Sequence, residues 1–152
     1  MDAERPEDII PTVERGNNKS QMTAEDKKIQ YWLEISDYGL QTARAKLDAR
    51  RYLYVGFMCH QSIEKILKAH WQKVFSAIPP RTHNLALLSQ KTGLLDEMSI
   101  EHADFIDELE PLNIQARYPE YRDLQYKKLK HGHAQEILSK TEELFKWIRK
   151  RL

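Results

Sequence analysis

Tyr52-Leu53-Tyr54-Val55-Gly56-Phe57-Met58-Cys59-His60-Gln61-Ser62-Ile63-Glu64-Lys65-Ile66-Leu67-Lys68-Ala69 is the stretch whose reading decides the fold. At about 100° per residue, Val55, Cys59, Ile63, Ile66, Ala69 and Val74 fall on one arc, and Gln61, Glu64, Lys65, Lys68 and Gln72 gather on the other. The pattern predicts one helix over residues 52–77, roughly 39 Å long at the helical rise. Pro79-Pro80 is its hard stop, because the residue before a proline is pushed out of helical geometry. Beyond it, Thr82 is placed to cap a short helix carrying Leu85, Leu87 and Leu88, and Gly93 suits the left-handed position that closes a helix.

The flanking sequence repeats the period. Thr23-Ala24-Glu25-Asp26 has an acceptor at the N-cap and a carboxylate three residues on, which opens a helix carrying Ile29, Trp32, Leu33, Leu40, Ala43 and Leu47 to about Asp48–Arg51. A fourth helix is expected over residues 96–114, with Ile100, Ala103, Phe105 or Ile106, and Leu109 inward and Pro111 as a kink or early end. Residues 115–130 read as polar, aromatic and irregular. The last helix carries Ala134, Ile137, Leu138, Thr141, Leu144, Phe145 and Ile148. No segment alternates with period two. The fold class is therefore all-α, an antiparallel up-and-down bundle of four long helices plus a short one, spanning residues 23–152. Residues 1–22 hold Pro6, Pro11, Gly16, Asn17 and Asn18 without apolar periodicity, and they read as a flexible N-terminal tail.

The bulk composition agrees. The chain has 152 residues, enough for one core, with 31% charged and 41% hydrophobic residues and only five glycines. A net charge of +1 gives no global field of the kind that coats nucleic acid. One cysteine, Cys59, allows no internal disulfide and suits a reducing compartment. No apolar run resembles a signal peptide or a membrane span, so the expectation is a cytoplasmic protein with no membrane association.

Several residues have the chemistry to form a site. Lys65 and Lys68 can bind a phosphate, or can pair with Glu64 on a solvated helix face. His60 either lines a cleft or bonds a neighbouring helix, and His70 reads as a satisfied core histidine. His131-Gly132-His133 lacks the Cys or carboxylate spacing that would complete a metal site, so no metal and no cofactor is assigned. Arg117-Tyr118-Pro119-Glu120-Tyr121-Arg122 interleaves guanidiniums that match phosphate with phenols that stack on bases, or else is a loop pinned by its tyrosines.

Trp32-Leu33, His60 to Ala69, Pro80-Arg81-Thr82-His83-Asn84-Leu85 and Ala116-Arg117-Tyr118-Pro119, taken in order, resemble the HEPN domains (higher eukaryotes and prokaryotes nucleotide-binding) over about residues 28–150. The resemblance implies a helical bundle that dimerises, and in prokaryotes a partnership with a minimal nucleotidyltransferase in a toxin–antitoxin-like module. Many such domains are metal-independent ribonucleases, marked by an Arg followed after four to six residues by a His near the start of the last helix. That signature is absent here in its usual form. From Arg117 the His would fall on Arg122, Asp123 or Leu124, and from Arg122 on Lys127, Lys128 or Leu129. Three classes of function follow. One is a nucleotide- or RNA-binding module using Arg117, Tyr118 and Arg122, then Lys65, Lys68, Arg81 and His83. Another is a ribonuclease with His131 or His133 as acid and base. The third is a non-catalytic interaction protein.

Overall fold

The computed structural model of the chain describes residues 21–117 and 130–152, so the expected tail lies almost wholly outside it. Among the described residues there is no strand. The helices are α1 (Ala24–Asp48), α2 (Tyr52–Phe75), α3 (Leu85–Lys91), α4 (Leu94–Glu97), α5 (Ile100–Arg117) and α6 (His131–Arg149). The four long ones make the bundle, with α2 as the central member against α1, α3, α5 and α6. None is long and apolar enough to cross a membrane.

α1 opens on the expected capping box: the Asp26 amide donates to Thr23 Oγ1 at 3.0 Å, and the Thr23 amide donates to Asp26 Oδ2 at 3.2 Å. It closes without a glycine. Arg50 takes the left-handed conformation at φ 61°, while the Arg50 and Arg51 amides return to the Leu47 and Lys46 carbonyls at 3.0 and 2.8 Å. This double return satisfies carbonyls that a helix end leaves orphaned. α1 then lies close along α2. Ser36 Oγ donates to the Ser62 carbonyl at 2.7 Å, Ser62 Oγ donates to the Ser36 carbonyl at 2.9 Å, and Gly39 faces Ser62.

α2 departs from expectation in several ways. It ends at Phe75, before Ala77, because Ser76 turns left-handed at φ 49° ahead of the two prolines. Its polar stripe is not a solvated face: Glu64 is wholly buried, and Lys68 and Gln72 are nearly so. α1 and the segment after α2 cover that side. The apolar arc is buried as expected from Val55 to Ala69, but Val74, in the last turn, is half-exposed. Each large apolar side chain fully buried here, such as Ile63 or Ile66, stabilises the fold by roughly 1.5–3 kcal/mol. Cys59 is enclosed, and burial pushes its thiol up to about 12 against the opposing hydrogen bond with Thr141. His70 is buried, but it is not satisfied, since its Nδ1 has no hydrogen-bond partner among the described residues.

The cap of α3 is Asn84 rather than Thr82: Asn84 Oδ1 accepts from the Leu87 amide at 2.9 Å, and Thr82 Oγ1 instead accepts from the Asn84 amide at 3.1 Å. Gly93 closes α3 at φ 85° as expected. The stretch expected to start the next helix breaks into the single turn α4, and Ser99 then caps α5 by accepting from the His102 amide at 3.1 Å. Ile100 therefore sits on the rim at 78% exposure, and the inward face is Phe105, Ile106, Leu109 and Leu112. Pro111 does not end α5; it lies on the exposed side and the helix continues to Arg117.

Candidate functional site

The segment between α2 and α3 runs back over α2 and sets His83 above Glu64. Glu64 Oε1 accepts from His83 Nδ1 at 2.9 Å, while Oε2 accepts from Lys65 Nζ and Lys68 Nζ, each at 3.0 Å. Burial alone would raise the Glu64 carboxyl, but hydrogen bonds from His83 and Lys68, with the charge of Lys65, outweigh it and bring it down to about 2. Glu64 is thus a buried carboxylate at neutral pH with three donors around it.

His60, one turn earlier on α2 and fully buried, supports the same segment. Its Nε2 donates to the His83 carbonyl at 3.1 Å, and the carbonyl fixes the proton on that nitrogen. Its Nδ1 lies 3.8 Å from Glu64 Oε1. Since His83 gives its Nδ1 proton to Glu64, the Nε2 edge of its half-exposed ring is left for a ligand.

His83 stands at a cavity of about 510 Å³, with Asn84, Glu110, Asn113, Ile114 and Arg117 on the other walls. Glu110 is spoken for on one oxygen: Oε1 accepts from the Leu85 and Ala86 amides at the start of α3, tying α3 to α5. Arg117 Nε donates to Asn113 Oδ1 at 3.0 Å, and its guanidinium lies 5.1 Å from the Phe57 ring centre. Asn113 Oδ1 also accepts from Gln61 Nε2 at 3.2 Å. With Nε committed, the terminal guanidinium nitrogens are the ones left for an anion.

Of the residues picked from sequence, Arg117 and His83 meet at this cavity. Lys65 and Lys68 do not line it; their ammonium groups turn inward to Glu64 and lie 6.0 and 5.7 Å from the Trp32 ring centre. Arg81 is exposed on the connecting segment, outside the lining. His131 packs edge-on to Tyr52 with ring centres 5.7 Å apart, and His133 is exposed; neither borders the cavity. Tyr118 and Arg122 lie outside the described residues. Among the described residues no group of three or more His, Cys, Asp or Glu side chains is placed to hold a metal ion. Sequence reasoning passed over Glu110 and Asn113 and gave Glu64 only a surface pairing. A signal existed: His60, Glu64 and Lys68 stand at successive i,i+4 positions, as do Asn113 and Arg117.

A family model described as the HEPN domain matches residues 29–151. Among solved structures the chain is similar to TT1696 from Thermus thermophilus, with a TM-score of 0.71 at 18% identity over 82% of this chain and 98% of that one. At that identity the likeness concerns the fold. No curated protein matches the sequence.

Proposed function

Because the chain belongs to the HEPN domain family, we propose that it is a nucleotide- or RNA-binding module whose phosphate site is the cavity between His83 and Arg117. The observation that carries this reading is the convergence of a guanidinium and an imidazole, each held from behind by a second group: Arg117 by Asn113, and His83 by the buried Glu64 carboxylate. A phosphate takes the Arg117 terminal nitrogens, while His83 Nε2, which bears the lone pair when Nδ1 donates to Glu64, accepts from a hydroxyl of the same ligand. Glu110 excludes a second anion from its own side and accepts from a ribose hydroxyl or a base N–H. Tyr118, next to Arg117 in the chain, and Arg122, five positions on, are proposed as further ligand contacts on their chemistry alone, a phenol that can stack on a base and a second guanidinium that matches phosphate.

Titration calorimetry with ATP, GTP and a short RNA tests the reading. Arg117→Ala weakens the binding about tenfold or more, the worth of a charged hydrogen-bonding group. Absence of heat with all three ligands sinks it. The family reading also brings a homodimer and a minimal nucleotidyltransferase partner in a toxin–antitoxin-like module; sedimentation, and pulldown against the product of a neighbouring gene, test those two.

A second reading is favoured by the His83–Glu64 pair. An imidazole oriented by a carboxylate and facing a cavity that holds a guanidinium is arranged for proton transfer from a ribose 2′-hydroxyl. This keeps metal-independent RNA cleavage as the alternative, with His83 ahead of His131 and His133 as the base. Cleavage in the presence of a chelator that survives His83→Ala removes His83 from that role.

A further inference from the structure

The second oxygen of Glu64 leads to another part of the surface. The lysines it holds flank Trp32, and Trp32 is one wall of a depression of about 310 Å³ completed by Tyr31, Ile78 and Pro79. Lys27 and Lys28 add positive charge to it, and Gln72 adds an amide. Tyr31 is 58% exposed, with its ring 5.5 Å from that of Trp32 in an edge-to-face arrangement, so an open aromatic surface borders the depression. Glu25 is the acidic neighbour; it accepts from Gln72 Nε2 at 2.7 Å and lies 3.6 Å from Lys28 Nζ, which takes up part of that lysine's charge.

This depression and the His83 cavity share one piece of chain. Ile78 and Pro79 border the first, and His83 and Asn84 border the second. Five residue steps separate Ile78 from His83, a distance of at most ~18 Å even fully extended. An aromatic and apolar depression fringed by lysines, a short reach from a phosphate site, has the composition of a platform for successive bases of a single strand.

We propose that the Tyr31–Trp32 depression is a nucleobase-stacking subsite, so that the ligand is a single-stranded RNA whose backbone lies between it and the Arg117–His83 cavity. The inference rests on the phosphate-site reading above. It goes further by selecting an oligonucleotide over a mononucleotide and by assigning a role to Tyr31, Lys27 and Lys28.

The experiment compares AMP with a 2′-O-methyl tetra-adenylate, which resists cleavage at its 2′ positions, using fluorescence and calorimetry. The tetranucleotide binds more tightly than AMP. Tyr31→Ala, an exposed position whose variant is checked for fold by circular dichroism, lowers tetranucleotide affinity about tenfold, within the range for loss of one base stack, and leaves AMP unchanged. Tyr31→Phe retains the affinity. Lys27→Gln together with Lys28→Gln flattens the salt dependence of tetranucleotide binding. If AMP binds and Tyr31→Ala leaves the tetranucleotide unaffected, the subsite is wrong and the phosphate site stands. If neither ligand binds, both fall. If Tyr31→Ala turns a dimer into a monomer with RNA affinity intact, the depression belongs to a second copy of the chain and the proposal is overturned.

Discussion

Glu64→Gln replaces a side chain that holds three others, and its cost can be worked from the structure. The wild-type carboxyl sits at about 2 instead of the ordinary 4.5, because His83, Lys68 and Lys65 outweigh the burial that opposes ionisation. A gap of about two and a half pH units corresponds to about 3 kcal/mol favouring the folded state. The sign follows from the depressed value. The stabilisation is fully present above the unfolded-state value near 4.5 and is lost as pH falls towards about 2. An independent argument gives a similar figure. Removing one partner of a buried ion pair costs about 3–5 kcal/mol, since Lys68, only 6% exposed, is left with an uncompensated charge. Urea unfolding followed by tryptophan fluorescence at pH 7 should therefore show Glu64→Gln less stable by about 3 kcal/mol, and a thermal scan should show a midpoint lower by roughly 6–12 °C for a chain of this size. Repeated at descending pH, the gap between wild type and variant should narrow below about pH 4.5, because the unfolded chain's carboxyl takes up a proton there while the folded one, at about 2, does not. A loss under 1 kcal/mol at pH 7, or a gap that stays constant down to pH 3, would refute the reasoning.

Three further outcomes follow from local geometry. Arg50→Gly should raise stability by about 0.5–1 kcal/mol in the same urea assay, because glycine relieves the left-handed strain at φ 61° while giving back part of the gain through unfolded-chain entropy. Asn84→Ala should cost about 1 kcal/mol and Thr82→Ala clearly less, the reverse of the order if Thr82 were the cap of α3. Cys59, buried and pushed up to about 12, should resist an aromatic disulfide reagent at pH 8 until urea unfolds the chain; rapid labelling of the native protein would contradict its burial.

The features readable from sequence are those whose cause lies within a turn or two of chain. The Thr23–Asp26 box, the inward row of α6 from Ala134 to Ile148, and the glycine stop at Gly93 are all local, and each stands where its spacing places it. The closure of α1 is less legible because Arg50 occupies the position a glycine usually marks. The α5 start is misplaced from sequence because Ser99 and the α4 turn compete for the same few residues, and only packing decides between them. The polar stripe of α2 is the largest gap. Glu64 becomes a central group only when His83, nineteen positions on, folds back over it, and no helical period encodes that return. Arg117 and His83 are separate candidates in the sequence; that they share a cavity depends on how α3 is tied to α5 through Glu110.

The seam between α1 and α2 also bears on how the chain folds. Ser36 and Ser62 exchange hydroxyl-to-carbonyl bonds across two helices joined by only three residues, 49–51. Closing so short a connection costs little loop entropy, and the contacts it brings together are near in sequence. The helical hairpin of residues 24–75 is thus the segment that can form first and offer a surface on which α5 and α6 condense. Its amides around Ser36 and Ser62 should be the slowest to exchange with deuterated solvent; faster exchange there than in α6 would place the nucleus elsewhere.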